Sequence, residues 1–272
     1  MRINSIQNYN YTYNNYPRKS QQNQPNFGSN YVSYFDNAGK VVNRSTTCFF
    51  RSDFNWQDFV LLLKDRYKWQ SKVNIHNYAC SDGSEPYSLT MMLLEETPEF
   101  AKKCFPIIAK DKEPQILTYA EKGICGAHDL DIYQINYYTR NRIHNYFNFT
   151  KEHPIECNIG LIAKQHLRDK IHFSQADITK DIATLKTNKN NVFLCRNMWL
   201  YIPKEKQEPL VQQMTKKAQN RGLIVIGEHD RDKSDVVELL KKYEFKEIQE
   251  NVFAPINNNN EKFFSYIITR RR

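Results

Sequence analysis

The chain has 272 residues, 40% of them hydrophobic, and a formal net charge of +9, enough for one large α/β domain or two small ones. No stretch approaches the roughly 20 apolar residues of a bilayer span, and the polar opening Met1-Arg2-Ile3-Asn4 carries no signal-peptide core. Its 6 cysteines and 7 histidines lack CxxC, HxH and HxxxH spacing, so no metal site is expected and a reducing, cytoplasmic setting is.

Residues 1–40 are rich in Asn, Gln, Tyr and Ser and nearly devoid of aliphatic side chains. They cannot bury enough apolar area to offset ordering entropy, and a disordered tail is expected. Residues 41–272 read as one domain of alternating strands and helices, the signature of an α/β sheet built from βαβ units. The pattern predicts strands at Val73 to Ala79 and at Phe105 to Ala109, the latter ending at Lys110-Asp111. A helix then starts at Pro114 and stops at Gly123. About 50 residues precede the third strand, too many for a simple crossover. Within this insert, residues 127–168, Phe147 to Thr150 and Ile159 to Ala163 predict a small hairpin. Further strands are expected at Ile171 to Ser174, Val192 to Cys195 and Leu223 to Gly227. Phe245 to Phe253 and Phe263 to Thr269 suggest a closing hairpin around the loop Asn257 to Asn260.

Ligands of open α/β sheets bind outside the carboxyl ends of the strands. Three segments place polar residues at such ends. In Cys80-Ser81-Asp82-Gly83-Ser84-Glu85-Pro86-Tyr87-Ser88, Gly83 permits close backbone approach. Glu85 either accepts from the amino group of an amino-acid moiety or merely complements the helix dipole. Asp111 either grips ribose hydroxyls or caps the next helix. Arg196-Asn197 directly follows an apolar strand and reads as a pocket wall, or as an asparagine capping the next turn. A fourth segment, Thr46-Thr47-Cys48-Phe49-Phe50-Arg51, sets two aromatics beside a guanidinium able to bind a carboxylate in bidentate fashion. By itself it reads equally as a surface loop.

In this order and spacing the four segments, together with Tyr201 and the run Gly222 to His229, resemble the chemotaxis-receptor glutamate methyltransferases, the CheR family. The likeness covers about residues 44–269. It implies a class I methyltransferase fold: a Rossmann-like, mostly parallel α/β sheet with a C-terminal antiparallel hairpin and a small β-hairpin insert. It implies S-adenosylmethionine as cofactor, S-adenosylhomocysteine as product, and a protein acceptor such as a chemotaxis-receptor cytoplasmic domain. A monomer without membrane insertion is expected.

By the same resemblance, Arg51 and Tyr201 take the active-site positions. Arg51 with Ser45, Thr47, Glu85, Asp111, Asp177, Ile178, Asn197 and Met198 takes the cofactor-binding positions. Ser45 stands where the family has an asparagine, Ser84 where an extra acid is common, and Asp177 where asparagine is usual. Residues 1–40 offer no counterpart to the family's N-terminal helical domain. Two other expectations stay open: the same cofactor with another protein or a nucleic-acid acceptor, and a degenerate, non-catalytic interaction module.

Overall fold

The computed structural model describes residues 30–35, 41–152, 157–188 and 190–256. The chain begins with an antiparallel ribbon, β1 (Asn30–Phe35) against β2 (Val41–Thr47). Asn30–Phe35 falls within the segment read as a tail. Tyr31, Val32, Tyr34 and Phe35 are β-favouring residues, and β2 supplies a pairing partner that a composition averaged over forty residues conceals. The rest of that tail lies outside the described residues.

Helix α1 (Trp56–Tyr67) starts where the Asn55 side chain accepts from the Asp58 amide, and it buries Trp56, Phe59, Val60, Leu63 and Tyr67 on one stripe. Then follow β3 (Asn74–Tyr78), α2 (Ser84–Glu96), α3 (Pro98–Ala101), β4 (Ile107–Asp111) and α4 (Pro114–Lys122). Gly123 ends α4 in the left-handed conformation at φ 76°, as its position predicts. The insert comprises β5 (Ile124–Ala127), α5 (Asp129–Tyr138), α6 (Ile143–Tyr146), β6 (Phe147–Thr150) and β7 (Ile159–Ala163). After α7 (Gln165–Arg168) come β8 (Ile171–Gln175), α8 (Ile178–Thr184), β9 (Asn191–Cys195), α9 (Lys204–Lys217) and β10 (Leu223–Ile226). The described chain closes with α10 (Glu228–Lys233), α11 (Val236–Lys242), β11 (Phe245–Gln249) and β12 (Val252–Pro255).

Among the described residues the main sheet has the order β11-β12-β10-β9-β3-β4-β8. The pairs β3–β4, β4–β8, β3–β9 and β9–β10 are parallel, and β12 runs antiparallel to its neighbours. The chain therefore builds outward from β3 in one direction, then returns to build β9 and β10 on the other side. This order and the single reversed strand are the class I methyltransferase layout. The switch point lies between β3 and β9. Alternate residues of β9 feed opposite faces: Val192 and Leu194 join the core under α1 and α2, while Phe193 and Cys195 join the core under α8, α9 and α11. Coverage on both faces explains why β9 is buried throughout.

Two expectations change. The C-terminal hairpin closes within the first predicted arm, β11 against β12 around Glu250-Asn251, because Asn251 adopts a left-handed φ of 64° that makes the turn. The predicted second arm at 263–269 lies outside the described residues. The insert is a three-stranded sheet, β5-β7-β6, rather than a hairpin alone. Ile124–Ala127 is short and ambiguous as a strand until β7 pairs with it.

One carboxylate ties the two sheets together. Asp82, fully buried in the turn after β3, accepts from the Ser84 amide (3.0 Å) and hydroxyl (2.6 Å) and from the Gly126 amide of β5 (3.1 Å). Burial pushes its carboxyl up to about 6 from an ordinary 3.8, against these donors. A raised folded-state value means that the group's contribution to stability is fully present below about pH 3.8 and is lost as pH rises through about 6. Asp82→Asn removes this titration. The fall in thermal midpoint across that window, followed by circular dichroism, should become shallower than in the wild type; an unchanged slope would place the titration elsewhere.

Candidate functional site

A cleft of about 840 Å³ opens at the carboxyl ends of β3, β4 and β9, beside the switch point. It receives the turn after β3, the end of β4, the start of α8, the turn after β9 and the loop after β2. Thr47, Arg51, Glu85, Asp111, Asp177, Ile178, Asn197, Met198 and Tyr201 all line it. Ser45 sits in β2, outside the residues whose side chains are described.

At the centre lies Arg196, whose side chain is fully buried. One guanidinium nitrogen donates to Asp53 Oδ1 at 2.6 Å and the other to Glu85 Oε2 at 2.7 Å. Its plane lies over the rings of Phe54 (4.5 Å) and Trp56 (5.2 Å), a favourable cation–π setting. The other Glu85 oxygen accepts from Asn77 Nδ2 at 2.7 Å. Glu85 is thus held on both oxygens at the first turn of α2. Burial pushes the Asp53 carboxyl up, but the charges of Arg196 and Arg51 outweigh it and hold the group below the usual carboxylate range.

Asp111 closes β4 with both oxygens engaged, Oδ2 by the Ser81 amide (2.8 Å) and Oδ1 by the Glu113 amide (3.0 Å). It therefore shapes the turn into α4 while lining the cleft, although the N-cap of α4 is Glu113 and not Asp111. Burial raises its carboxyl above the ordinary value. Asp177 caps α8, with Oδ1 accepting from the amide and hydroxyl of Thr179 at 2.9 Å and 2.8 Å. Burial works against that carboxyl, yet the Thr179 donors bring it below the usual range. Asn197 lines the cleft in the left-handed conformation, φ 56°. Its amide side chain reaches Asp53, and its Oδ1 lies against Gly227, where an added Cβ would come within 2.3 Å. Tyr201 stands half exposed at the mouth.

The loop carrying Arg51 is pinned from three sides. The Phe49 amide donates to Asp131 of α5 (2.7 Å), the Phe50 amide to Ser88 of α2 (3.0 Å), and Trp56 Nε1 to the Arg51 carbonyl (3.1 Å). Phe50 also stacks on Tyr138 with centroids 4.5 Å apart. Cys48 lines the same cleft, but burial pushes its thiol up to about 11, which removes it as a nucleophile near neutral pH.

The cleft belongs to a span, residues 45–249, that matches the family model described as CheR methyltransferase, SAM binding domain. The chain is a member of the CheR family. It is similar to chemotaxis protein methyltransferase 2 of Vibrio cholerae, at 25% identity over 69% of this chain and 63% of that one. It is also similar to the chemotaxis protein methyltransferase of Listeria monocytogenes, at 24% identity over 69% of this chain and 65% of that one. The chain spans less than two thirds of the length of these relatives. S-adenosylmethionine is the cofactor named by the family. Among the described residues no helix is long and apolar enough to cross a membrane.

Sequence reasoning missed several residues that shape this CheR-family cleft. Arg196 reads as a wall residue, and Asp53, Asn77, Asp131 and Asp230 carry no motif of their own. The one available signal is a polar residue within an apolar strand, as with Asn77, or an acid three residues beyond Gly227, as with Asp230. Fully buried Asp230 accepts from the amides of Asn197 (2.6 Å), Gly227 (2.8 Å) and Trp199 (2.9 Å) and so moulds the turn after β9. Burial pushes it up to about 6 despite those donors. Asp230→Ala leaves three amides, two of them buried, without an acceptor, and a stability loss of about 3 kcal/mol or more is expected in urea unfolding. A loss below about 1 kcal/mol would mean that water replaces the carboxylate.

Proposed function

We propose that this protein uses S-adenosylmethionine to methylate a glutamate carboxylate of a protein acceptor of the chemotaxis-receptor type. The observation that carries the reading is the convergence of Arg51, Glu85 and Asp111, from three separate segments, on one cleft at the strand ends. The cleft volume lies within the range of about 300–1,000 Å³ typical of small-molecule sites. Asp53 and Glu85 both meet the Arg196 guanidinium, and Arg51 adds positive charge beside Asp53, so Glu85 is the acid left to accept from an ammonium group. The six cysteines are all unpaired, in keeping with action in the cytoplasm.

When bound, S-adenosylmethionine supplies a methyl group on a cationic sulfur. In this reading Glu85 holds the amino end, Asp111 the ribose hydroxyls, and Asp177 and Ile178 flank the adenine, with Thr47, Asn197 and Met198 completing the walls. Arg51 orients the acceptor carboxylate, and Tyr201 borders it at the mouth. An ionised carboxylate is already nucleophilic, so these residues need not supply a strong base. Their work is alignment and the exclusion of water.

Calorimetric titration with S-adenosylmethionine and S-adenosylhomocysteine tests the reading. Saturable binding is expected, weakened roughly tenfold or more by Asp111→Ala and by Glu85→Ala, each of which removes a charge-assisted hydrogen bond. Failure of folded wild-type protein to bind either ligand would sink the enzyme reading in favour of an interaction module. Arg51→Ala should lower turnover far more than cofactor affinity. Equal losses would reassign Arg51 to cofactor binding or folding.

A further inference from the structure

Arg196 has no solvent to serve. Its side chain is fully buried, both terminal nitrogens are committed to carboxylates, and its plane rests against Phe54 and Trp56. The two ion pairs and the two rings fix the orientation of the guanidinium, and with it the side of Glu85 that it holds. Asp53 comes from the loop just after Arg51, and Glu85 from the first turn of α2. The arginine itself follows β9 directly, so its backbone is anchored by a strand in the middle of the sheet.

Glu85 needs such an anchor. A glutamate at the start of a helix has freely rotating torsions, and holding it costs rotamer entropy. Here Asn77 in β3 takes one oxygen and Arg196 the other. The remaining lone pairs are therefore presented in a set direction before any ligand arrives, which lowers the cost of binding. Asp53 does the same service for Arg196 at its second nitrogen, and Arg51 adds positive charge beside Asp53.

Resting on the cofactor reading above, we propose that Arg196 is a positioning residue, fixed by Asp53, that acts through Glu85 on the amino-acid end of the cofactor alone. The adenosine end, served by Asp111 and the start of α8, does not depend on it. Discrimination between ligands with and without the amino-acid moiety is then a property of the Asp53–Arg196–Glu85 chain.

The test compares S-adenosylhomocysteine with 5′-methylthioadenosine, which keeps the adenosine and thioether but lacks the amino-acid end. Arg196→Lys retains charge but loses the two-pronged geometry. It should weaken S-adenosylhomocysteine about tenfold or more while leaving 5′-methylthioadenosine within about twofold. Adding Glu85→Gln to Arg196→Lys should cost much less than Glu85→Gln alone, because the two act on one contact. Asp53→Asn, which leaves Arg196 in place, should show the same selective loss at about threefold or more.

Parallel loss of both ligands in Asp53→Asn, or additive losses in the double variant, would overturn the proposal and make Arg196 a purely structural cation. Unchanged affinities in Arg196→Lys would overturn it as well. Wild-type protein that binds neither ligand overturns the cofactor reading itself, a result distinct from selective failure in the variants.

Discussion

Burying an arginine is expensive unless its charge is met at once by acids in good geometry. The buried guanidinium of Arg196 therefore acts as a constraint on everything around it. Asp53 must come to one side and Glu85 to the other, and flat apolar rings must cover its face. To satisfy that single group, the end of β9, the first turn of α2 and the segment between β2 and α1 have to meet. The cleft is the space these three segments leave between them and the end of β4.

A second device recurs around the cleft: a buried aspartate that collects amides from distant segments. Asp82 joins the turn after β3 to β5, Asp131 joins α5 to the Arg51 loop, and Asp230 joins the turn after β9 to the start of α10. Each acid satisfies donors that would otherwise be buried unpaired. Together they fasten the insert and the loops to the main sheet, so the walls of the site are held by polar staples and the floor by hydrophobic packing. Burial raises all three carboxyls, which records the cost of placing them there.

Much of the fold was legible before tertiary contacts were considered. Strands such as Asn191–Cys195 and Leu223–Ile226 are short apolar runs bounded by turn residues. The stop at Gly123 and the pairing of Phe147–Thr150 with Ile159–Ala163 followed from glycine chemistry and β-favouring composition. The strand at Asn30–Phe35, the third strand of the insert and the true turn of the C-terminal hairpin were not legible. The first is masked by the polar composition around it, the second is defined by a partner distant in sequence, and the third by one left-handed residue.

For the site, the order of residues along the chain already places particular side chains at the strand ends: Glu85 after β3, Asp111 at the end of β4, Asn197 after β9 and Arg51 in the preceding loop. Side-chain chemistry and position relative to a strand are local properties, so one chain suffices to read them. That these residues share one cleft, and that Arg196, Asp53, Asn77 and Asp230 organise them, emerges with the folded arrangement. The physical reason is that an ion pair or a buried hydrogen bond is a relation between two groups whose separation in sequence is arbitrary. Its energy depends on distance and burial, which exist only once the chain has folded.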